Sequence, residues 1–99
     1  MGVYAVSYDL SKPGQEYTAL IEELKASPGW WHHLQSTWLI STTESPLQIW
    51  KRLKPHLDEN DRMLIIEVLD NTSGWLPKKA WEWIHQHAPE KSSVVGSYY

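Results

Sequence analysis

Asp9 is the residue of this sequence best placed to do chemistry. It follows Val3 to Tyr8, a short β-branched and aromatic run typical of a buried strand, and turn-forming residues come after it. From the end of a strand, a carboxylate can reach an edge cleft and hold a hard cation, Mg²⁺ or Mn²⁺, through oxygen. One carboxylate binds such an ion weakly. A metal site therefore requires a two-fold axis that brings two copies of Asp9 together.

A structural role for Asp9 is the alternative. Aspartate at a strand-to-helix junction commonly caps the helix or closes an Asx turn, here before Pro13. Both roles use the same carboxylate, so the sequence leaves the choice open.

His33 and Ser36 are further candidates for phosphodiester cleavage. Histidine changes charge near neutral pH, so His33 could act as an acid or base beside the polar Gln35-Ser36 pair. A structural histidine between aromatic residues is the alternative. The chain has no cysteine and its paired histidines do not share a helix face, which disfavours zinc. No nucleophile-elbow, Walker or dinucleotide-binding motif occurs, so acyl transfer and nucleotide-triphosphate hydrolysis are poor hypotheses.

Five basic residues form a candidate nucleic-acid-binding surface. They lie on the predicted second and third helices, where they could contact phosphates together or form solvated helix faces. The net charge of −3 argues against a generic nucleic-acid coat but leaves room for a local patch. Tryptophan pairs could stack on bases, although subunit contacts are the favoured use. The basic residues are Lys51, Arg52, Lys54, Lys78 and Lys79.

Changes in the hydrophobic period define the elements that position these residues. Apolar residues at i, i+3, i+4 and i+7 from Tyr17 predict the first helix, and Ser45-Pro46-Leu47-Gln48 supplies a capping box for the second. The predicted buried stripe of the second helix is Leu47, Trp50, Leu53 and Leu57. In chain order, the predicted elements are strand 3–8, a helix from 15 stopped by 27–29, a segment 30–42 broken near 35–36, a helix ending near 54, strand 62–69 and helix 77–87. The segment 30–42 is either two short strands or one bent strand, and a hairpin is favoured.

The order β-α-β-β-α-β predicts an α+β domain of the ferredoxin-like split βαβ type, with an additional C-terminal helix. The predicted domain spans residues 1–88, followed by a tail at 89–99. Arg62 to Leu69 is apolar on both faces, which predicts a central strand of a covered sheet. Two helices cover one sheet face. The other face needs the third helix, the tail or a second subunit, so a homodimer is expected.

Length and composition limit the number of domains and the cellular compartment expected for the protein. Its 99 residues fit one domain, and the absence of cysteine fits a reducing cytoplasm. The first residues lack the pattern of a signal peptide, and no stretch approaches the ~20 apolar residues of a membrane span. We therefore expect a cytoplasmic protein without a membrane partner.

Three segments resemble a known family. They are Tyr4 to Leu10, the Ser36-Thr37-Trp38 strand and Asp58 to Arg62 before an aliphatic strand. Together they are similar to the small CRISPR-associated dimeric protein of the spacer-integration complex, and most of all to its stand-alone, SinR-like relatives. VapD-type toxin ribonucleases are more distantly similar in fold. The resemblance covers roughly Val3 to Leu69.

The resemblance implies a role for Asp9. In that superfamily the aspartate ending the first strand is the metal-binding and proposed catalytic residue, shared across a homodimer. Members are described as metal-dependent nucleases or as non-catalytic scaffolds. This chain departs from many members where they carry an arginine-rich segment, since it has Trp30-Trp31-His32-His33-Leu34 there, and it adds the tryptophan-rich last helix.

Two functional hypotheses follow. The first is a homodimeric, metal-dependent endoribonuclease or toxin-like nuclease, in which Asp9 binds Mg²⁺ or Mn²⁺ and His33 or Ser36 lies near the scissile phosphate. The second is a non-catalytic homodimer that binds RNA, DNA or a protein partner such as an antitoxin, with Asp9 serving only as a cap.

Overall fold

The computed structural model of the chain describes residues 1–12 and 17–90. Within these ranges, no helix is long and apolar enough to cross a membrane. The strands there are β1 (Gly2–Asp9), β2 (Gly29–Leu34), β3 (Thr37–Thr42) and β4 (Arg62–Val68), and the helices are α1 (Thr18–Lys25), α2 (Pro46–Leu53) and α3 (Lys78–His87), with a 3₁₀-helix at Lys54–His56 directly after α2.

These strands form one antiparallel sheet in the order β2-β3-β1-β4, and the architecture is α+β. β1 lies inside the sheet between β3 and β4. The prediction that β4 is a central, covered strand is wrong, because β4 is an edge strand. Its apolar residues on the two faces meet different surroundings: Ile65 packs against the core, whereas Leu64 and Ile66 are 60% and 48% exposed.

Helices α1 and α2 cover one face of the sheet. Side chains alternate across a strand, so Tyr4 and Val6 of β1 point to this face and meet Leu20 and Leu24 of α1. The stripe predicted for the first helix is confirmed, since Tyr17 and Ile21 pack against the same cluster. The buried members of this first core are Tyr4, Val6, Leu20, Leu24, Trp38, Ile40, Ile49 and Leu53.

The start of α2 follows its sequence signal. The Gln48 backbone N–H donates to the Ser45 hydroxyl at 3.2 Å, and the Ser45 N–H donates to the Gln48 side chain at 2.8 Å, which completes the predicted capping box. The predicted buried stripe is partly wrong. Leu47 is 59% exposed, and Ile49 is buried with Leu53, because the helix is rotated to present Ile49 to the sheet.

Helix α3 packs on the opposite sheet face and covers only part of it. Its residues Ala80 and Ile84 are buried against Val3 of β1 and Trp31 of β2. The predicted helix from Pro77 to His87 is confirmed within one residue, since Pro77 is the N-cap. The second core consists of Val3, Trp31, Leu39, Ala80, Ile84 and Ala88, with Ala5, Val68, Leu76, Trp81 and Trp83 packed around it.

The chain leaving α3 returns to the sheet end. The Asp70 N–H donates to the Pro89 carbonyl at 2.7 Å, and Asp70 and Glu90 form an isolated parallel bridge. Pro89 and Glu90, predicted as the start of a tail, are thus tied to the end of β4. The rest of the predicted tail, 91–99, lies outside the described residues.

Asp61 joins the two loops at one end of the sheet. One of its carboxylate oxygens accepts from the Ser11 N–H at 2.7 Å, the Ser11 hydroxyl at 2.9 Å and the Tyr17 hydroxyl at 3.1 Å. The other accepts from the Asp58 N–H at 2.7 Å. The loop after β1 is therefore held against the loop before β4, and an ion pair between Lys12 and Asp58 at 2.5 Å reinforces the link.

The pKa of Asp61 is lowered by this arrangement. Burial, the largest influence, favours the neutral acid, but hydrogen bonds from the Ser11 and Asp58 backbones and from the Ser11 and Tyr17 hydroxyls together outweigh it. A carboxyl whose pKa is lower in the folded state stabilises the fold above its ordinary pKa of 3.8. That contribution is lost as the pH falls through the folded-state pKa.

We predict that Asp61→Asn lowers the free energy of unfolding by about 1–3 kcal/mol at pH 7, because an amide replaces one acceptor with a donor that faces other donors. The difference from the unmodified chain should shrink progressively below pH 4, because the unfolded chain binds a proton there while the folded carboxylate stays ionised down to its own lower pKa. Urea unfolding at pH 7 and pH 3 measures both values, with exposed Glu59→Gln in the same loop as the control. Equal stability of the two proteins at pH 7 would contradict the anchoring role.

Candidate functional site

Asp9 is the last residue of β1, and its side chain is exposed. Among the described residues, its carboxylate has no hydrogen-bond or ion-pair partner. A cap of α1 by Asp9 is not observed, because the N-cap of α1 is Tyr17 and no side chain caps that helix. The predicted Asx turn before Pro13 lies outside the described residues. Asp9 is therefore a carboxylate whose acceptor capacity remains open within the part of the chain that the structure describes.

Arg62 lies directly across from Asp9 on the neighbouring strand. The register of β1 and β4 pairs these two residues, so their side chains leave the same face of the sheet. One terminal nitrogen of the Arg62 guanidinium donates to the carbonyls of Asp61, at 2.9 Å, and Glu59, at 3.4 Å. These bonds hold Arg62 at the sheet end while the rest of its guanidinium faces outward.

Hydroxyl groups complete this end of the sheet. Ser7 and Thr37 lie side by side on β1 and β3, and their hydroxyl oxygens are 3.2 Å apart. The Tyr8 N–H donates to the Ser36 carbonyl at 3.0 Å, so the turn between β2 and β3 lies against the end of β1. The structure thus places the Ser36 backbone against Tyr8, the residue before Asp9, but Ser36 is not among the residues that line the cleft at Asp9.

His33 lies farther away. It is exposed on β2, where its ring meets the edge of Trp31 with 5.0 Å between centroids. β3 separates β2 from β1, so the backbones carrying His33 and Asp9 are two strand spacings apart, about 10 Å. The observed contact of His33 is with one aromatic ring, that of Trp31, on an exposed part of β2.

The open cleft around Asp9 has a volume of about 280 Å³ and is lined by Ser7, Tyr8, Asp9, Arg62, Met63 and Leu64. Among residues 1–12 and 17–90, no group of three or more His, Cys, Asp or Glu side chains could hold a metal ion. The single carboxylate of Asp9 suits a cation that keeps several water ligands and takes further ligands from a substrate. Mg²⁺ is usually bound in this way. Asp9 does not provide an all-protein metal cage.

Arg52 does not belong to the predicted cationic surface. Its guanidinium forms a two-pronged contact with the Glu44 carboxylate, at 3.1 and 3.0 Å, and donates to the Ser27 hydroxyl at 3.1 Å. It also donates to the carbonyl and the carboxylate of Glu23. Arg52 therefore joins α2 to the end of α1 and to the loop after β3, and its donors are used within the chain.

The four lysines do not form one surface either. Lys51 and Lys54 lie in the layer of α2, whereas Lys78 and Lys79 begin α3 on the other side of the sheet. The sheet separates the two pairs. The predicted five-residue basic patch is thus wrong as a single binding surface, and two exposed lysine pairs remain.

Tryptophan and histidine rings stack at three places. His32 lies flat on Trp38, with centroids 4.0 Å apart and an angle of 11°, and Trp83 stacks on His87 at 4.2 Å. Trp81 stacks on His85, whose ring nitrogen contacts the Asp70 carboxylate at 3.0 Å. These contacts use the aromatic residues within the fold, although Trp75 is 99% exposed.

Comparison of the chain with protein-family models, with curated proteins and with solved structures finds no match. The resemblance described above therefore depends on the three segments that suggested it.

Sequence reasoning did not identify Arg62 or the Ser7–Thr37 pair as site residues. Arg62 begins a strand, and nothing in its immediate neighbours distinguishes it from an ordinary edge arginine. The signal is the pairing register, which places it opposite Asp9 once β4 is known to lie beside β1.

We predict that Arg52→Gln lowers the free energy of unfolding by about 1–3 kcal/mol, because it leaves Glu44 without its charged partner and breaks the link between the helices. Exposed Lys51→Gln, on the same helix, should change it by no more than about 0.5 kcal/mol. Chemical denaturation of both variants measures the difference. Equal effects of the two substitutions on stability would contradict the linking role of Arg52 and support its interpretation as a solvated surface residue.

Proposed function

We propose that the chain is a homodimeric, metal-dependent phosphodiesterase whose site is the end of the sheet at Asp9. The observation that carries the proposal is the exposed Asp9 carboxylate, which has no partner among the described residues, beside Arg62 and the Ser7–Thr37 hydroxyl pair. Ser7, Asp9 and Arg62 line an open cleft there. We also propose the ferredoxin-like split βαβ fold for residues 1–88. The order of the elements and the strand order β2-β3-β1-β4 support it.

Each group at this end has a chemical use on a phosphodiester. A guanidinium binds phosphate oxygens through several N–H donors, and the outward part of Arg62 is positioned for that contact. Serine and threonine hydroxyls can donate to the remaining oxygens. Asp9 would hold Mg²⁺ or Mn²⁺ together with water and the substrate, and the bound ion would polarise the phosphoryl group. The chain's own residues thus bind and orient the phosphate.

The homodimer is part of the proposal because residues 1–12 and 17–90 cover only part of the sheet face beside Asp9. α3 packs over Val3, Leu39 and Trp31, while Leu64 and Ile66 are left exposed next to the site. Adjacent exposed aliphatic side chains on a sheet favour association. A second subunit would also bring a second Asp9 to the site.

A second candidate is a non-catalytic homodimer that binds a protein or nucleic-acid partner. The observation that favours it is the division of the basic residues, since Arg52 is engaged within the chain and the lysine pairs lie on opposite sides of the sheet. Without a continuous basic surface, nucleic acid binds weakly at physiological salt. A protein partner, such as an antitoxin, then fits better.

We predict that the purified protein cleaves single-stranded RNA in Mg²⁺ or Mn²⁺ and that Asp9→Asn lowers the rate at least about tenfold, because the amide loses the negative charge that holds the cation. Gel analysis of labelled RNA and duplex DNA measures the cleavage. The matched control is exposed Glu82→Gln on α3.

Two results would count against this function. Equal cleavage by the unmodified protein and Asp9→Asn would remove Asp9 from the chemistry. If neither RNA nor DNA is cleaved with Mg²⁺ or with Mn²⁺, the non-catalytic binding candidate is favoured. Its test is the affinity for RNA and DNA across a salt series, since phosphate contacts weaken with added salt.

A further inference from the structure

Two exposed rings on the edge strand β2, Trp30 and His32, form what we call the aromatic ledge. Both lie against Trp38 of β3, which is only 1% exposed. The His32 ring is stacked on Trp38, with centroids 4.0 Å apart and an angle of 11°, and the Trp30 centroid lies 5.3 Å from that of Trp38 at a tilt of 46°. Trp30 itself is 42% exposed, and His32 is exposed as well. The ledge is therefore supported by the core and open to solvent.

The orientation of His32 is fixed at two points. Its ring plane lies flat on Trp38, and its Nε2 is 3.1 Å from the Gln35 carbonyl oxygen. Trp38 is held in turn, since its Nε1 donates to the Tyr8 hydroxyl at 3.0 Å. Because Trp38 covers one face of the imidazole, the exposed area of His32 belongs largely to the opposite face. His32 thus presents a flat, preorganised ring face to solvent.

A β-bulge accounts for the position of His32. The register between β2 and β3 shifts between Trp31 and Leu34, so two residues of β2 stand opposite Trp38. The second of them, His33, lies on the other face of the strand, where it meets Trp31. Bulges re-aim side chains and are frequent beside functional sites. Here the bulge leaves His32 over Trp38 at the open edge of the sheet.

The aromatic ledge begins at the same end of the sheet as the Asp9 cleft. The Tyr8 N–H donates to the Ser36 carbonyl, so the turn that follows β2 borders the end of β1. Tyr8 also lines the cleft, and its hydroxyl accepts from the Trp38 ring that supports the ledge. The backbones of β2 and β1 are two strand spacings apart, about 10 Å. A polynucleotide bound at Asp9 can therefore reach the ledge within a few nucleotides.

We propose that the aromatic ledge binds bases of single-stranded nucleic acid, one stacked on the free face of His32 and another on Trp30. Two residues along a strand are about 6.6 Å apart, roughly twice the ~3.4 Å between successive bases in one strand of a duplex. The two rings therefore fit bases that have separated from each other, as the bases of a single strand can. Aromatic rings stack on every base, so we expect little sequence preference.

This inference deepens the proposed function by naming the substrate class. It rests on that function only where it connects the ledge with Asp9. Binding of a single strand at the ledge needs neither the metal nor cleavage, so it can be measured separately.

Lys25 adds a positive charge beside the ledge. Its Nζ lies 5.5 Å from the centroid of the Trp30 ring, and its side chain is exposed at the end of α1. Single-strand-binding surfaces combine rings for the bases with cations for the backbone phosphates. A contact through Lys25 adds one phosphate to the stacked bases, so the salt dependence of binding should be small.

The dimensions of the ledge favour a base over a protein partner. A stable protein interface buries about 800 Å² on each partner. The ledge offers two rings, bordered by Lys25 and by the polar turn at 35–36. A base needs only one flat ring face of the kind that His32 presents. Stacking of bases is therefore the use to which this surface is best suited.

Removal of each ring tests the ledge. Fluorescence anisotropy of a short, labelled single-stranded RNA measures binding in EDTA, where metal-dependent cleavage cannot occur. We expect His32→Ala and Trp30→Ala each to raise the dissociation constant roughly fivefold or more, as for the loss of one stacked base. His32→Phe keeps a flat ring on Trp38 and should restore most of the affinity. Trp75→Ala, which removes a 99% exposed tryptophan elsewhere, is the matched control and should leave the constant unchanged. Circular dichroism confirms that each variant is folded.

The ligand supplies a second test. An abasic strand of the same length keeps the phosphates without the bases, and a duplex of the same sequence hides the base faces. Both should bind at least about tenfold more weakly than the single strand. Lys25→Gln should reduce the slope of log affinity against log salt by about 0.7, the value for one phosphate contact. His32→Ala should leave that slope unchanged, because stacking releases no counterions.

Three results would overturn the inference. These are equal binding of the abasic and normal strands, unchanged affinity in both ring variants, and loss of self-association rather than of RNA binding in Trp30→Ala, which would assign the ledge to a subunit contact. Failure of the proposed function looks different. RNA that binds through the ledge but stays intact with Mg²⁺ and with Mn²⁺ would remove the nuclease and leave the ledge. Cleavage that is insensitive to both ring variants, with unchanged binding, would do the reverse.

Discussion

The antiparallel register between β1 and β4 is the constraint on which the candidate site depends. It places Arg62 opposite Asp9 and sets aliphatic residues of β4 beside small residues of β1. Because the side-chain period of a strand is two, a shift of one residue would send Leu64 and Ile66 to the other face of the sheet. Arg62 would move with them, so it would no longer share a face with Asp9 and Ser7.

Buried contacts on the opposite face fix this register. Tyr4, Val6 and Ile65 pack under α1 and α2, so β1 and β4 cannot slip without exposing them. At the sheet end, Asp61 holds the loop after β1 against the loop before β4 through four hydrogen bonds. The position of Asp9 is therefore determined by residues that take no part in its chemistry.

Local signals in the sequence predicted most of the elements but not their environment. The capping box at Ser45, the hairpin break at Gln35-Ser36 and the stripe from Tyr17 depend on neighbouring residues, and the structure confirms them. The apolar run in β4 was misread, because a strand buried on both faces and an edge strand with exposed aliphatic side chains on one face can have the same composition. Only the strand order distinguishes the two.

Sequence reasoning could identify one residue of the candidate site but not its neighbours. Asp9 was identified from the end of a strand, but Arg62 lies 53 positions further along the chain and becomes its neighbour only through the sheet. The misassignment of Arg52 has the same origin. Helical spacing places a basic residue on a helix face, but it does not reveal that Glu23, Ser27 and Glu44 converge there from three other segments.

The position of Asp9 at the end of a strand decides what its carboxylate can do. A carboxylate buried in the sheet would need a charged partner, whereas a carboxylate that holds a cation needs access to water and substrate. The end of the sheet gives that access, because Asp9 terminates β1 and borders an open cleft. Arg62 lies across from it on β4, where the carbonyls of Asp61 and Glu59 hold its guanidinium. A phosphate that entered the cleft would therefore meet an acceptor for a cation and a fixed guanidinium at the same place.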